Sequence, residues 1–473
     1  MRPFYLAGEW REGVKSFEVK SPFDERFLET VAKPGPQEAD EALTKAALAF
    51  EVTRRLPAQV RADALLDISN GVAERADELA RLITDESGKP LNASSLEVTR
   101  AIGTFRWASE ESRRRDGEFL RADTIDGAEG RAVLVRQFPR GTVLGITPFN
   151  FPLNLVAHKV APALGVGSPI VVKPASATPL TTLALAEIVS ETDLPREILS
   201  VLPLSSSDAE PIVGDPRVKV VSFTGSPEIG WRLKQQASEK QVILELGGNA
   251  AVIVHSDADL GMAAEKVAAG GYAQSGQSCI AAQRILIQKD VYEIALKKIL
   301  EAVGALVVGD PADASTDVGP LIDAAALDRV ASWVDEAVQL GGEVLLGGKR
   351  EDPFYYPTVL AKVPREAKVC SEEVFGPVVV VEPYEHLEEA IAISNDSSYG
   401  LQAGIFTNDI HNAFLAFREL EVGGIVLNDT SNWRADQMPY GGTKRSGFGR
   451  EGLRYAMDEM CEPKVLVFSG IEL

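Results

Sequence analysis

Val218-Lys-Val-Val-Ser-Phe-Thr-Gly-Ser-Pro-Glu-Ile-Gly230 reads as an apolar strand, a tight turn and the start of a helix. Free N–H groups at such a helix start, with the Ser226 hydroxyl beside them, suit a pyrophosphate. The stretch is not the G-x-G-x-x-G fingerprint, and alone it is only a βα turn. Its neighbours give it meaning. Upstream lie a strand at Val143–Thr147, a helix at Leu153–Leu164 and a buried strand at Pro169–Lys173. A helix over Thr181–Ser190, a strand over Ile198–Leu202 and a short helix over Asp208–Val213 follow. Downstream come a helix at Ser226–Ala237 and a strand at Val242–Leu246. Strands separated by helices of this length predict a parallel sheet covered on both faces. Such sheets bind ligands beyond the carboxyl ends of their strands.

A second α/β unit begins at the strand Ala251–Val254. Ser256–Asp259 caps a helix that leads to Gln274-Ser-Gly-Gln-Ser-Cys279, and a strand follows at Arg284–Ile287. Helices are expected near Val291–Val303, Ala324–Leu340 and Leu387–Ser394, and strands at Val378–Glu382 and Gly404–Thr407. Before the first unit, residues 1–35 read as short strands and turns. Helical spacing then runs through Asp40–Phe50, Ala58–Arg75, Ala76–Ser87 and Ser94–Arg115. The alternating Arg131–Phe138 segment reads as a ribbon. The tail Pro463–Phe468 reads as a strand without an obvious local partner. An unpaired apolar edge invites another chain, so a homo-oligomer is expected.

Composition sets outer bounds. A chain of 473 residues suggests two or three domains. A net charge of −21 argues against nucleic acid or an anionic membrane as partner. The uncharged runs Gly141–Ala157 and Val267–Gln283 are too polar or too Pro- and Gly-rich for membrane spans, and the N-terminus lacks the apolar core of a signal peptide. Three cysteines, Cys279, Cys370 and Cys461, form no disulfide framework and fit a reducing, cytoplasmic setting. The four histidines lack ligand spacing, so no metal site is expected.

Cys279 sits at the mouth of a Gly-rich turn, where a substrate can approach its thiol and backbone N–H groups can stabilise an oxyanion. A lone cysteine is more often a small buried apolar residue. Glu245 shifts the balance, because a carboxylate ending the apolar strand Val242–Leu246 before Gly247-Gly248 needs a reason to be there. Lys173 ends a strand at the same edge and reads either as a solvated lysine or as a donor to a ribose hydroxyl. Asn150, in Thr147-Pro-Phe-Asn-Phe-Pro152, reads either as an Asx turn or as an amide aimed at a developing oxyanion.

Pro148-Phe-Asn-Phe-Pro152, Val172-Lys-Pro174, Phe223-Thr-Gly-Ser226, Leu244-Glu-Leu-Gly-Gly248, Gly276-Gln-Ser-Cys279, Glu373-Val-Phe-Gly-Pro377 and Pro439-Tyr-Gly-Gly442 occur in this order. The chain thereby resembles the aldehyde dehydrogenase superfamily from about Phe4 to Phe468. In local phrasing it is similar to lactaldehyde and non-phosphorylating glyceraldehyde-3-phosphate dehydrogenases.

The resemblance implies an α/β fold: a Rossmann-like cofactor domain (1–117 and 140–246), a second α/β catalytic domain (247–450), and an oligomerisation ribbon with the C-terminal strand (118–139 and 451–473). It implies Cys279 as nucleophile, Glu245 as general base, and Asn150 with the Cys279 N–H as oxyanion hole. Lys173 and Glu373 would hold ribose hydroxyls. Phe375 would pack near the nicotinamide, and Gly225 and Ser226 would meet the pyrophosphate. Thr147, Phe149, Thr224, Gly230 and Leu246 complete the expected cofactor contacts.

Many members that prefer NAD carry a glutamate where this chain has Ser176. The exchange removes a charge that would repel a 2′-phosphate, which favours NADP while leaving NAD open. Arg100 and Arg434 fall at positions near the substrate pocket, favouring a short anionic or hydroxylated aldehyde; either one is equally a salt-bridged surface arginine. The partners expected are thus a small aldehyde and further copies of the chain, as a dimer or a tetramer. A coenzyme A-acylating enzyme is the alternative that Glu245 argues against. A non-catalytic protein on the same fold is the alternative opposed by Asn150, Glu245 and Cys279 together.

Overall fold

The computed structural model describes residues 1–115 and 117–470. Residues 116 and 471–473, which fall within the expected segments 1–117 and 451–473, lie outside the described residues.

Five strands of the first series lie parallel, in the order Leu199–Val201, Ile170–Lys173, Thr142–Ile146, Val218–Thr224 and Gln241–Glu245. Antiparallel Phe4–Leu6 and Glu9–Arg11 extend one edge, and Gly447–Phe448 closes the other. Alternate side chains go to opposite faces. Val143, Val172, Val220 and Ile243 pack with helices Ala58–Glu74, Leu91–Arg114, Asn154–Val166 and Leu180–Ser190. Leu144, Val171, Val221 and Leu244 pack with Pro36–Thr53, Ser206–Val213 and Pro227–Ala237. Both faces are therefore dry, which is why these strands read as continuous apolar runs. The chain enters at the central Thr142–Ile146, builds to one side and then crosses to Val218–Thr224. The connections leaving these two neighbours run in opposite directions and open a crevice at their carboxyl ends.

The second sheet has the order Glu343–Leu346, Thr358–Ala361, Val378–Tyr384, Ala282–Gln288, Ala250–Val254, Gln402–Phe406, Gly424–Leu427. All its pairs are parallel except the first. A third sheet corrects the expectation of a partnerless tail. Cys461–Ser469 pairs antiparallel with Arg131–Pro139 of the same chain, from Cys461 opposite Pro139 to Ser469 opposite Arg131. Glu118–Arg121 adds the far strand. Tail and ribbon are distant in sequence, so no local pattern announces the pairing. Val465, Leu466 and Val467 on that strand remain more than half exposed. Among the described residues, no helix is long and apolar enough to cross a membrane.

Two helices that flank the crevice borrow their caps from elsewhere. Asn154–Val166 has no side-chain cap of its own. Instead the buried Glu97 accepts the N–H groups of Leu153 and Asn154 at 2.9 and 3.0 Å. Leu180–Ser190 is likewise capped by buried Glu86, which accepts from Leu180 and Thr181 at 2.8 and 3.0 Å. A carboxylate there satisfies orphan donors and meets the positive helix end. Glu97 is also ion-paired with the buried Lys89, whose ammonium lies 3.9 Å from the Phe151 ring centroid. Truncating Glu97 to alanine strands Lys89 without a counter-charge. The expected loss is ~3–5 kcal/mol, visible as a lower urea midpoint at unchanged slope; an unaltered midpoint would show that the pair carries no stability.

Candidate active site

The loop after Thr142–Ile146 and the loop before Ala282–Gln288 come from different sheets and are joined through Asn150. Its side-chain Nδ2 donates to Gln277 O at 3.0 Å, and Gln274 Nε2 donates back to Asn150 O. Asn150 is buried, and its Oδ1 has no partner among the described residues. Asp259 caps the helix Leu260–Tyr272 by accepting from Gly261 N and Met262 N. Gln274, Ser275 and Gly276 then follow in left-handed conformations, with φ of 53°, 57° and 69°. Two consecutive non-glycine residues in that region are strained, and such strain persists only where the surroundings impose it. Here Ser275 Oγ donates to Gly319 O at 2.7 Å, and Gln277 Oε1 accepts from Ile322 N at 3.0 Å.

Two glycines make the approach possible. A Cβ on Gly248 would lie 2.3 Å from Cys279 O, and one on Gly276 would lie 2.1 Å from Gly376 O. Gly248 in the Leu-Gly-Gly after Glu245 is therefore a spatial requirement, letting the main chain that leaves the first sheet lie against the cysteine turn.

A single cavity of about 1150 Å³ collects most of the expected residues. Asn150, Glu245 and Cys279 share it. So do Thr147, Phe149, Lys173, Ser176, Thr224, Gly225, Ser226 and Leu246 from the first sheet's edge, and Glu373 and Phe375 from the second unit. Phe149 and Phe375 meet edge to face at 5.8 Å. Three expected residues do not line this cavity. Gly230 packs under it, where a Cβ would come 2.4 Å from Leu246 Cδ2. Arg100 is paired with Asp436, with Nη2 to Oδ1 at 2.7 Å and Nε to Oδ2 at 3.2 Å. Arg434 is buried, 3.5 Å from Glu451 and 3.2 Å from His158 Nε2, with its guanidinium 3.8 Å above the Tyr440 ring. Both arginines are ion-paired as the plainer reading held, yet neither is a free surface residue.

The charges in the site are poorly solvated. Glu245 is buried with neither carboxylate oxygen hydrogen-bonded among the described residues. Burial raises its pKa well above the usual carboxylate value, Glu451 adds to the rise, and Arg434, Lys159 and Arg450 oppose it. Burial likewise pushes Glu373 up to about 8, although it accepts the Gly248 N–H at 3.0 Å. Desolvation lowers Lys173, whose ammonium has no ion-pair partner among the described residues. The Cys279 thiol is pushed up to about 12 by burial, against the hydrogen bond it shares with Tyr440; Glu373 and Glu245 push it further and Arg434 draws it back.

Sequence reading gave no role to the fully buried Lys159, whose Nζ donates to Thr224 Oγ1 at 2.7 Å and to the buried Glu451 Oε1 at 2.9 Å. A signal was present: His158-Lys159 interrupts an otherwise apolar helix, and buried charge demands partners. Its partner Glu451, and Asp436 with Tyr440, lie almost three hundred positions away in sequence, which hid the cluster.

The chain matches the model of the aldehyde dehydrogenase family over residues 10–466. It is 40% identical over 466 residues to the 3-sulfolactaldehyde dehydrogenase of Priestia aryabhattai, spanning 98% of this chain and 97% of that one. Its structure superposes with a TM-score of 0.97 on aldehyde dehydrogenase 21 of Physcomitrella patens, solved with the reaction product succinate, at 42% identity and covering 99% and 98% of the two chains. It also matches the glyceraldehyde-3-phosphate dehydrogenase GapN of Methanocaldococcus jannaschii, solved with NADP, at a TM-score of 0.92, 37% identity and 97% and 99% coverage. The chain belongs to the aldehyde dehydrogenase family. It is an NAD(P)-dependent aldehyde dehydrogenase.

The residues present fit that cofactor. Ser226 stands at the N-cap of Pro227–Ala237 with its hydroxyl making no cap bond, Thr147 Oγ1 has no partner among the described residues, and Lys173 offers an unpaired cation. Gly248→Ala is expected to displace the Cys279 turn and lower kcat at least tenfold while cofactor binding survives. Steady-state kinetics beside cofactor fluorescence titration check this, and wild-type kcat in the variant would contradict it.

Proposed function

We propose that this chain oxidises a short anionic or hydroxylated aldehyde to its carboxylic acid through a thiohemiacetal and then a thioester on Cys279. The observation that carries the hydrolytic half is Glu245, a buried carboxyl without a hydrogen-bond partner in the cavity that holds Cys279. Cys279 Sγ bonds to the carbonyl carbon as the C=O pair moves onto oxygen. Asn150 Nδ2 and the Cys279 N–H face the resulting oxyanion. The bound nicotinamide dinucleotide supplies the acceptor for the substrate's C–H hydride. Glu245, its basicity raised by burial, then takes a proton from the water that opens the thioester. Lys173 and Glu373 hold ribose hydroxyls, Gly225 and Ser226 face the pyrophosphate, and Thr147, Phe149, Thr224, Leu246 and Phe375 shape the rest of the cleft. Gly230 acts by letting its helix pack against Leu246.

Several observations support a preference for NADP. Ser176 is exposed at the cavity and carries no charge. Arg232 lines the same cavity, and the carboxylate of nearby Glu210 is engaged by Gln236 at 2.6 Å and by Arg232 at 3.4 Å. For the substrate, the printed names of relatives are consistent: sulfolactaldehyde, succinate and glyceraldehyde 3-phosphate each carry an anionic group. Arg100 and Arg434, brought together by Asp436 and His158, are the cations proposed to meet that group. The exposed apolar ribbon around Val465–Val467 supports assembly into a homo-oligomer, dimer or tetramer, and the free cysteines support a reducing, cytoplasmic setting.

Glu245→Gln is expected to preserve the first burst of NADPH and to slow steady turnover at least a hundredfold, seen by stopped-flow absorbance. Because the base works only when ionised and its pKa is raised, kcat falls as pH drops into the range above ordinary carboxylates. Burst and steady rate both unchanged would refute the role. Ser176→Glu is expected to reverse the kcat/KM preference towards NAD. Arg100→Ala is expected to raise KM at least tenfold for succinic semialdehyde or 3-sulfolactaldehyde but not for propanal, and Arg434→Ala to raise KM for the anionic aldehydes well beyond any effect on propanal. Equal effects on both classes would remove the arginines from substrate recognition.

A further inference from the structure

Tyr440 belongs to a motif that marks the family resemblance, but nothing above gives it a task. Its ring is buried and its hydroxyl lies 3.3 Å from Cys279 Sγ. The Arg434 guanidinium covers one face of that ring at 3.8 Å from the centroid. Arg434 is fixed in turn: Nη2 lies 3.2 Å from His158 Nε2 and 3.5 Å from Glu451 Oε2. His158 Nε2 lies 2.8 Å from Asp436 Oδ1, so the histidine faces Arg434 and Asp436 and leaves the sulfur to the phenol.

We propose that Tyr440 is a catalytic residue whose O–H donates to the Cys279 sulfur and stabilises the thiolate before attack, with Arg434 strengthening that donor through the ring face. The proposal rests on Cys279 being the nucleophile. A thiolate in a dry cavity is costly, and the groups around it divide. Glu245 and Glu373 oppose a negative sulfur; Tyr440 and Arg434 favour it. Once sulfur is ionised it can only accept, so the phenol must donate. Such a charge-assisted bond is about twice as strong as a neutral one. A cation over an aromatic face is attracted to its π-cloud and draws electron density from the hydroxyl. Burial, with the neighbouring sulfur and Glu245, makes the phenol itself hard to ionise, which keeps its proton in place. When sulfur attacks, its charge passes to the oxygen facing Asn150 and the Tyr440 bond weakens without any proton leaving Tyr440.

The test follows alkylation of Cys279 by iodoacetamide in the full-length protein without aldehyde. Peptide mass spectrometry reads Cys279 apart from Cys370 and Cys461. In Tyr440→Phe the alkylation rate is expected to fall roughly tenfold at each pH from about 7 to about 9, parallel to the wild-type profile, as for a thiol whose midpoint has moved up by about one unit. A profile superimposable on wild type over that range would overturn the proposal. Uniform 3-fluorotyrosine incorporation leaves every side chain in place and makes the phenol a stronger donor. It is expected to raise the alkylation rate over the same pH range, and an unchanged rate would again overturn the proposal. Cys279→Ser separates the two levels: acid production retained in that variant removes the nucleophile, whereas an inactive Cys279→Ser beside an unmoved Tyr440→Phe profile removes only the role of Tyr440.

Discussion

The structure turns on a carboxyl group kept away from water. Glu245 ends a strand directly after the apolar run Val242-Ile-Leu244, and the fold gives neither of its oxygens a hydrogen bond among the described residues. Leaving such a group unsatisfied is unfavourable. The fold offsets this by burying cations near it, Lys159 and Arg434, while placing Glu451 as their other partner. These charges come from the helix Asn154–Val166 and from the chain after residue 430, so holding them together fixes how the last segment lies on the first sheet. Gly447–Phe448 pairing with Gln241–Glu245 completes that docking.

The second constraint is closeness of main chains. Glycines 248 and 276 allow the cysteine turn to lie against the segment that follows Glu245 and against Gly376, within distances that any Cβ would violate. Asn150 then ties the turn to the crevice of the first sheet through Gln277 and Gln274. The left-handed pair Gln274-Ser275 is held by these contacts rather than by its own preference. Cys279, Asn150 and Glu245 therefore share one cavity because three separately built loops are clamped at their tips.

Beyond the cavity runs a continuous polar network. Burial works against the charge of Asp436, yet His158 and Arg100 hold its carboxyl well below the usual range. Burial and Arg434 together keep His158 low. His158 thus sits between the Asp436 carboxylate and the Arg434 guanidinium, and Arg434 covers the Tyr440 ring, whose hydroxyl lies 3.3 Å from Cys279 Sγ. The arginine proposed to recognise an anion is in this way two contacts from Cys279, within one set of side chains.

Much of this was legible in the chain. Apolar runs separated by helical spacing determined the parallel sheets, because both of their faces are buried and every strand must be hydrophobic throughout. Cys279, Glu245, Asn150 and Lys173 stood out because each is a reactive or polar group at the end of such a run. Local pattern could not show that Cys461–Ser469 pairs with Arg131–Pro139, nor that Gly447–Phe448 joins the first sheet, since strand partners are chosen by three-dimensional proximity. The surroundings of Arg100 and Arg434 were hidden for the same reason. A charged side chain looks alike in sequence whether it faces water or a buried carboxylate, and only the packing of distant segments decides which. The sequence by itself thus determined the layers and the reactive groups; tertiary structure alone decided which charges are paired, and so which carboxyl is left bare beside the sulfur.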